Sequence, residues 1–177
     1  EHKSASQYFN ESLELVGLAD KYGYTHIRTV EHYFHAYGGY SPNPIVFLSA
    51  AAQISKKARM VTGAVVPVFN NPLKLAGEIG MLDGLSNGRL EVGVARAFIP
   101  EEFRNFKIKL DESVARFDEG LAQLILLLKS ENVSHKGRFF DFENVTSFPR
   151  PVQTPYPKFW TAAFATPESF EKAGRAG

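Results

Sequence analysis

Short β-prone runs alternate with amphipathic helical stretches along this chain, which restricts it to folds built from a parallel sheet with helical crossovers. Between residues 7 and 22 the apolar side chains Phe9, Leu13, Val16 and Tyr22 recur at helical spacing, and Gly23 is placed to stop the helix. A β-prone run over 24–30 follows and ends in the polar pair Glu31 and His32. The same order predicts a helix over 44–55, a strand over 59–66, a helix over 72–85 and a strand over 89–95. A longer helix is expected from Asp111, a good N-cap, to residue 129, with Val114, Phe117, Leu121, Leu124 and Leu128 on one face. The rhythm breaks over 133–148, around Gly137, which reads as a hairpin or extended excursion. Pro149, Pro151, Pro155 and Pro157 then stiffen the return to a strand over 159–163 and a helix over 167–175.

No GxGxxG or GxxxxGK[ST] motif follows any of these strands, so a (β/α)8 barrel is preferred to a nucleotide-binding doubly wound sheet. A whole barrel takes about 250 residues; 177 residues with four strands in series predict an incomplete one, lacking its first strand and its last three. The expected organisation is a single partial barrel domain over 1–177, with an extended insertion at about 131–157. Twenty basic and nineteen acidic side chains nearly cancel, which argues against nucleic acid or an anionic membrane surface as partner. No apolar run approaches the roughly 20 residues of a membrane span, and the first ten residues are polar, so the cytoplasm is the expected location. The absence of cysteine excludes disulfides, thiolate metal sites and a thiol nucleophile. Fifteen Phe and seven Tyr favour an apolar ligand pocket.

In a barrel the chemistry gathers where the strands end. His32 falls there and is the sharpest catalytic candidate, because an imidazole exchanges a proton near neutral pH. Glu31 could orient it, or could pair with Arg28 or Arg59. Gly63, Ala64 and Ala95 are small enough to let a flat ring lie against the strand ends, or to let helix pack closely on strand. Arg96 is suited to clamp a phosphate, or to pair with Glu101 or Glu102. Thr166 can cap the last helix, whose start, with Ala165 and Ser169, offers free N–H groups to an anion. His26, His32 and His35 invite a metal, but no carboxylate cluster completes a ligand shell, so none is expected.

Four stretches, in order, carry a resemblance. They are Glu31-His32-Tyr33-Phe34 with Tyr37-Gly38-Gly39 and Ser41-Pro42-Asn43-Pro44; Thr62-Gly63-Ala64-Val65-Val66-Pro67 running to Asn71-Pro72; the segment 82–97, LDGLSNGRLEVGVARA; and Arg116-Phe117-Asp118-Glu119-Gly120 joined to Ala165-Thr166-Pro167-Glu168-Ser169. Together they resemble the luciferase-like, flavin-dependent monooxygenases. The resemblance implies a (β/α)8 barrel that binds reduced FMN from a separate flavin reductase. With O2 it would form a C4a-peroxyflavin and oxygenate a small organic substrate, with His32 supporting the oxygen chemistry. It also implies that Arg96, Ala165, Thr166 and Ser169 hold the flavin phosphate, that Arg116 contributes to cofactor binding, and that the protein is a homodimer. Arg116 could equally pair with Asp111, Glu112 or Asp118. Tyr33, Asn71, Ala95 and Ala97 depart from the luciferases proper, which points away from light emission. An F420-dependent oxidoreductase of the same superfamily, or a non-catalytic flavin-binding partner subunit, is the alternative.

Overall fold

In a computed structural model of the chain, the structure describes residues 3–35, 37, 39–163 and 167–176. The first half follows a helix-then-strand rhythm: α1 (Ala5–Tyr22), β1 (His26–Thr29), α2 (Pro44–Ile54), β2 (Arg59–Val65), α3 (Pro72–Leu85) and β3 (Leu90–Val94). Then come α4 (Pro100–Asn105), a 3-10 turn (Leu110–Glu112), α5 (Ser113–Lys129), β4 (Val133–Lys136), β5 (Asp141–Val145), β6 (Lys158–Thr161) and α6 (Pro167–Ala176).

Local chemistry explains the boundaries. Ser4 caps α1 by accepting from Gln7 N–H, and Gly23 closes it in the left-handed conformation at φ 76°. The two Asn-Pro pairs start α2 and α3 alike. Asn43 accepts from the N–H groups of Ile45 and Val46, Asn71 accepts from Leu73, and the proline after each occupies the first helical turn, where no N–H is needed. Asp111 does not cap α5 as expected. It lies in the 3-10 turn, and Glu112 precedes the helix without a side-chain cap. Val114, at the edge of the buried face, is exposed, while Gly120 and Leu127 are buried beside Phe117, Leu124 and Leu128.

Strands β1, β2, β3 and β6 form one parallel sheet in that order, so four strands of the βα series are present as read from sequence. The β4–β5 hairpin is a separate antiparallel pair. Every residue of β3 is buried, as in a parallel sheet covered on both faces. Leu48, Met60, Leu75, Ile79, Leu82, Leu90 and Leu124 fill the space between sheet and helices. Gly93 is required by the close approach of β2, since a Cβ there would lie 2.1 Å from the Thr62 carbonyl oxygen. The β2–β3 register shifts between Thr62 and Val65, so Gly63 and Ala64 fall out of the ladder; the peptide between them is cis. Among the described residues no helix is long and apolar enough to cross a membrane.

Beyond α5 the chain is tied back by side chains. Arg150 donates to the Leu127 and Leu128 carbonyls at 2.7 and 2.6 Å, satisfying the end of α5. The fully buried Asp83 of α3 accepts the N–H groups of Val152 and Gln153 at 2.8 and 2.9 Å and the Gln153 amide at 2.6 Å. Arg89 donates to the Ser86, Ala58 and Ala52 carbonyls, fixing the entry to β3. Asp83→Ala removes the acceptor of three part-buried donors, of which the Gln153 amide keeps the Leu90 carbonyl, so urea denaturation should show about 2 kcal/mol lost with an unchanged m-value.

Candidate active site

The parallel sheet delivers its strand ends to one side. Glu31 and His32 follow β1, Val66 to Val68 follow β2, and Ala95 to Ala97 follow β3. Ala95 N–H donates to the Val65 carbonyl, and Ala162 N–H donates to that of Val94, which keeps the ends in step.

Glu31 is buried. Among the described residues its carboxylate accepts from the Tyr33 hydroxyl at 2.5 Å, the Asn70 side-chain amide at 2.8 Å and Val66 N–H at 3.0 Å. It pairs with neither Arg28 nor Arg59, and it does not orient His32. Arg59 is engaged instead by Glu91, at the opposite end of the strands. The reason is geometric, since successive residues leaving an extended strand point opposite ways. Burial pushes the Glu31 carboxyl up to about 7 against these hydrogen bonds, with the charge of Glu102 adding to the rise. Burial and Glu31 together hold the Tyr33 hydroxyl far above its ordinary range, so it remains a donor.

His32 is oriented by Glu102. Its Nδ1 lies 3.2 Å from Glu102 Oε1, the oxygen that also accepts Tyr33 N–H at 2.9 Å. The rings of Tyr37 and Phe98 stand edge-on to the imidazole, with centroids 4.9 and 6.0 Å away. Behind Tyr33, Phe106 stacks on Phe69, and Phe103 closes the apolar wall. In the sequence Glu102 figures only as a possible partner of Arg96. The signal for its helix is present, however, because Pro100 followed by two glutamates is a helix start with acids in the first turn.

The remaining candidates scatter. Gly63 and Ala64 line a cavity of about 410 Å3 with Arg28, Gly93, Trp160 and Ala162, within the roughly 300–1,000 Å3 of ligand sites. The space above Gly63 is taken by Arg28, whose alkyl carbons would stand 2.3 Å from an added Cβ, so this glycine makes room for a side chain of its own sheet. Arg96 is exposed, and Glu102, one of the acids considered as its partner, is occupied by His32 and Tyr33. Arg116 donates from Nε to the Val68 carbonyl at 2.9 Å and lies over the rings of Phe139 and Phe140. Of the acids considered for it, Glu112 pairs with Arg138. Ser169 lies on the first turn of α6; Ala165 and Thr166 lie outside the described residues. A larger cavity, about 770 Å3, opens between α1, β1 and α2. Apart from Arg28 its walls are uncharged, and Glu31 and His32 are not among them.

This fold matches a known family. The sequence fits the luciferase-like monooxygenases over residues 1–177, and the chain belongs to that family. It is 35% identical, over its whole length and 49% of its relative's, to the oxygenase component of a flavin-dependent trigonelline monooxygenase from Acinetobacter baylyi. The crystal structure of monooxygenase RslO1 from Streptomyces bottropensis matches with a TM-score of 0.94 at 55% identity, covering 98% of this chain and 53% of that one. The oxygenating constituent of 3,6-diketocamphane monooxygenase from Pseudomonas putida, in complex with FMN, matches in fold. Its TM-score is 0.88 at 23% identity, over 98% of this chain and 51% of that one. The chain spans about half the length of the curated relatives it matches.

The raised Glu31 carboxyl has a signed consequence. Between its ordinary value of 4.5 and about 7 the folded protein binds more protons at this group than the unfolded chain does. The associated stability is complete below the lower value and is lost as pH rises through the upper one, an effect of order 3 kcal/mol. Isothermal denaturation across this window should show the decline in the wild type and its absence in Glu31→Gln.

Proposed function

We propose that the protein is a flavin-dependent monooxygenase that uses reduced FMN, delivered by a separate flavin reductase, and oxygen to oxygenate a small organic substrate. The observation that carries this reading is the meeting of His32, Glu102, Tyr33 and Glu31 at the strand ends. Family membership and the flavin-dependent relative support it. On the same reading the four parallel strands are part of a (β/α)8 barrel with the segment at about 131–157 as its insertion, and the enzyme works in the cytoplasm.

The residues present suit a flavin. Ala64 and Ala95 are small at adjacent strand ends, and Ala64 lines a cleft of ligand size with Trp160 and Ala162, while Gly63 makes room for Arg28. Arg96 is exposed and available to a phosphate, and Ser169 stands on the first turn of α6; the resemblance adds Ala165 and Thr166, which lie outside the described residues. Arg116 acts by fixing the loop after β2 through Val68. Bound there, reduced flavin supplies the electrons that activate oxygen. His32 manages a proton at the nitrogen that does not face Glu102, Tyr37 and Phe98 keep water from its ring, and Glu31 holds Tyr33 and the strand ends in place. The outer faces of α2 and α3 expose Ile54, Met81 and Leu85, which suits a homodimer.

In the complete protein, calorimetry should detect FMN binding, and oxygen uptake should depend on reduced FMN. His32→Ala should slow that uptake by about 100-fold while FMN affinity is preserved. Hydride exchange with F420 in place of oxygen uptake overturns the reading, as does a failure to bind FMN. An unchanged rate in the variant would identify a non-catalytic flavin-binding subunit instead.

A further inference from the structure

We infer that Glu102 is the positioning residue for His32: it holds the imidazole in one orientation and one tautomer, with the proton on Nδ1, and so leaves Nε2 as the working nitrogen. This rests on the reading that His32 manages a proton in the reaction, although the tautomer can be observed without it.

The assignment follows from donor and acceptor counting. Glu102 is 1% exposed, and its Oε1 already accepts Tyr33 N–H at 2.9 Å. That oxygen acts as an acceptor, so the His32 Nδ1 that lies 3.2 Å from it completes a hydrogen bond by carrying the hydrogen. In a neutral imidazole the lone pair then belongs to Nε2. The backbone of His32 is fixed independently, because its N–H donates to the Ser41 carbonyl, and the Ser41 hydroxyl donates back to that of Val30 at 2.5 Å. Only the side-chain torsions remain to be set, and Glu102 with the flanking rings of Tyr37 and Phe98 sets them.

His35 is the more distant of the two imidazoles facing Glu102, and its buried Nε2 makes no hydrogen bond among the described residues. Its Nδ1 accepts Tyr37 N–H at 3.1 Å, so its proton is on Nε2, which stands 3.9 Å from Glu102 Oε1, beyond hydrogen-bonding reach.

The test is NMR on the 15N-labelled complete protein. Long-range 1H–15N spectra would be recorded in alkaline solution, where imidazoles are neutral, with His32 assigned by the signal lost in His32→Gln. The wild type should show His32 protonated at Nδ1 with a bare Nε2. Glu102→Ala, which removes the acceptor beside Nδ1, should show a mixture of both tautomers. Its kcat for oxygen uptake should fall roughly tenfold or more at an unchanged KM for reduced FMN, and Glu102→Asp should recover part of both losses. Wild-type His32 protonated at Nε2 overturns the inference with no variant needed. So does a Glu102→Ala spectrum with unaltered tautomers. If the wild type shows the expected tautomer but takes up no oxygen with reduced FMN, the proposed function fails and the positioning role stands.

Discussion

A carboxylate withdrawn from water persists only where donors converge on it, and Glu31 at the end of β1 imposes that condition on everything around it. Val66 N–H must come close, which ties the end of β1 to that of β2. Asn70 must turn inward, and it also donates to the Val66 carbonyl, so the loop after β2 folds over the strand it has just left. Tyr33 must swing its hydroxyl back to Glu31, and this turns its backbone N–H toward Glu102. The placement of His32 is therefore a second consequence of the same carboxylate. Glu31 acts on the site through the backbone, whereas Glu102 acts on the ring.

The opposite ends of the strands are held by a different set of charges. Glu91 accepts from the Trp160 indole at 2.6 Å and pairs with Arg59, joining β2, β3 and β6 well away from Glu31. Arg89 and Asp83 bind carbonyl and amide groups of the loops beneath. The contacts of this second set involve none of Glu31, His32 and Glu102. Substitutions in it should alter how firmly the sheet stands without reaching the imidazole.

Much of the scaffold was legible because its signals are local. Gly23, Asn43-Pro44 and Asn71-Pro72 mark helix ends by chemistry confined to four or five residues, and the structure uses each of them in that way. The position of His32 just past a strand was legible for the same reason. What failed depends on contacts across the chain. Asp111 carries a capping side chain, but it lies in a 3-10 turn and α5 starts after it. The partner of His32 lies 70 residues away on a six-residue helix, and nothing near either residue announces the pairing. The space over Gly63 could not be assigned either, since only the sheet register brings Arg28 across it.

The hairpin of β4 and β5 turns around a side chain that it does not own. Glu119 of α5 receives the N–H groups of Arg138, Phe139 and Phe140 and lies 3.1 Å from His135 Nε2, so it fills the bend from outside. Gly137 is small because that carboxylate and His135 lie where a Cβ would go. As a unit of inheritance or of engineering, the hairpin is therefore longer than its strands. A transplant of residues 133–145 into a relative would arrive with an unfilled turn unless a glutamate at the matching turn of the preceding helix came with it.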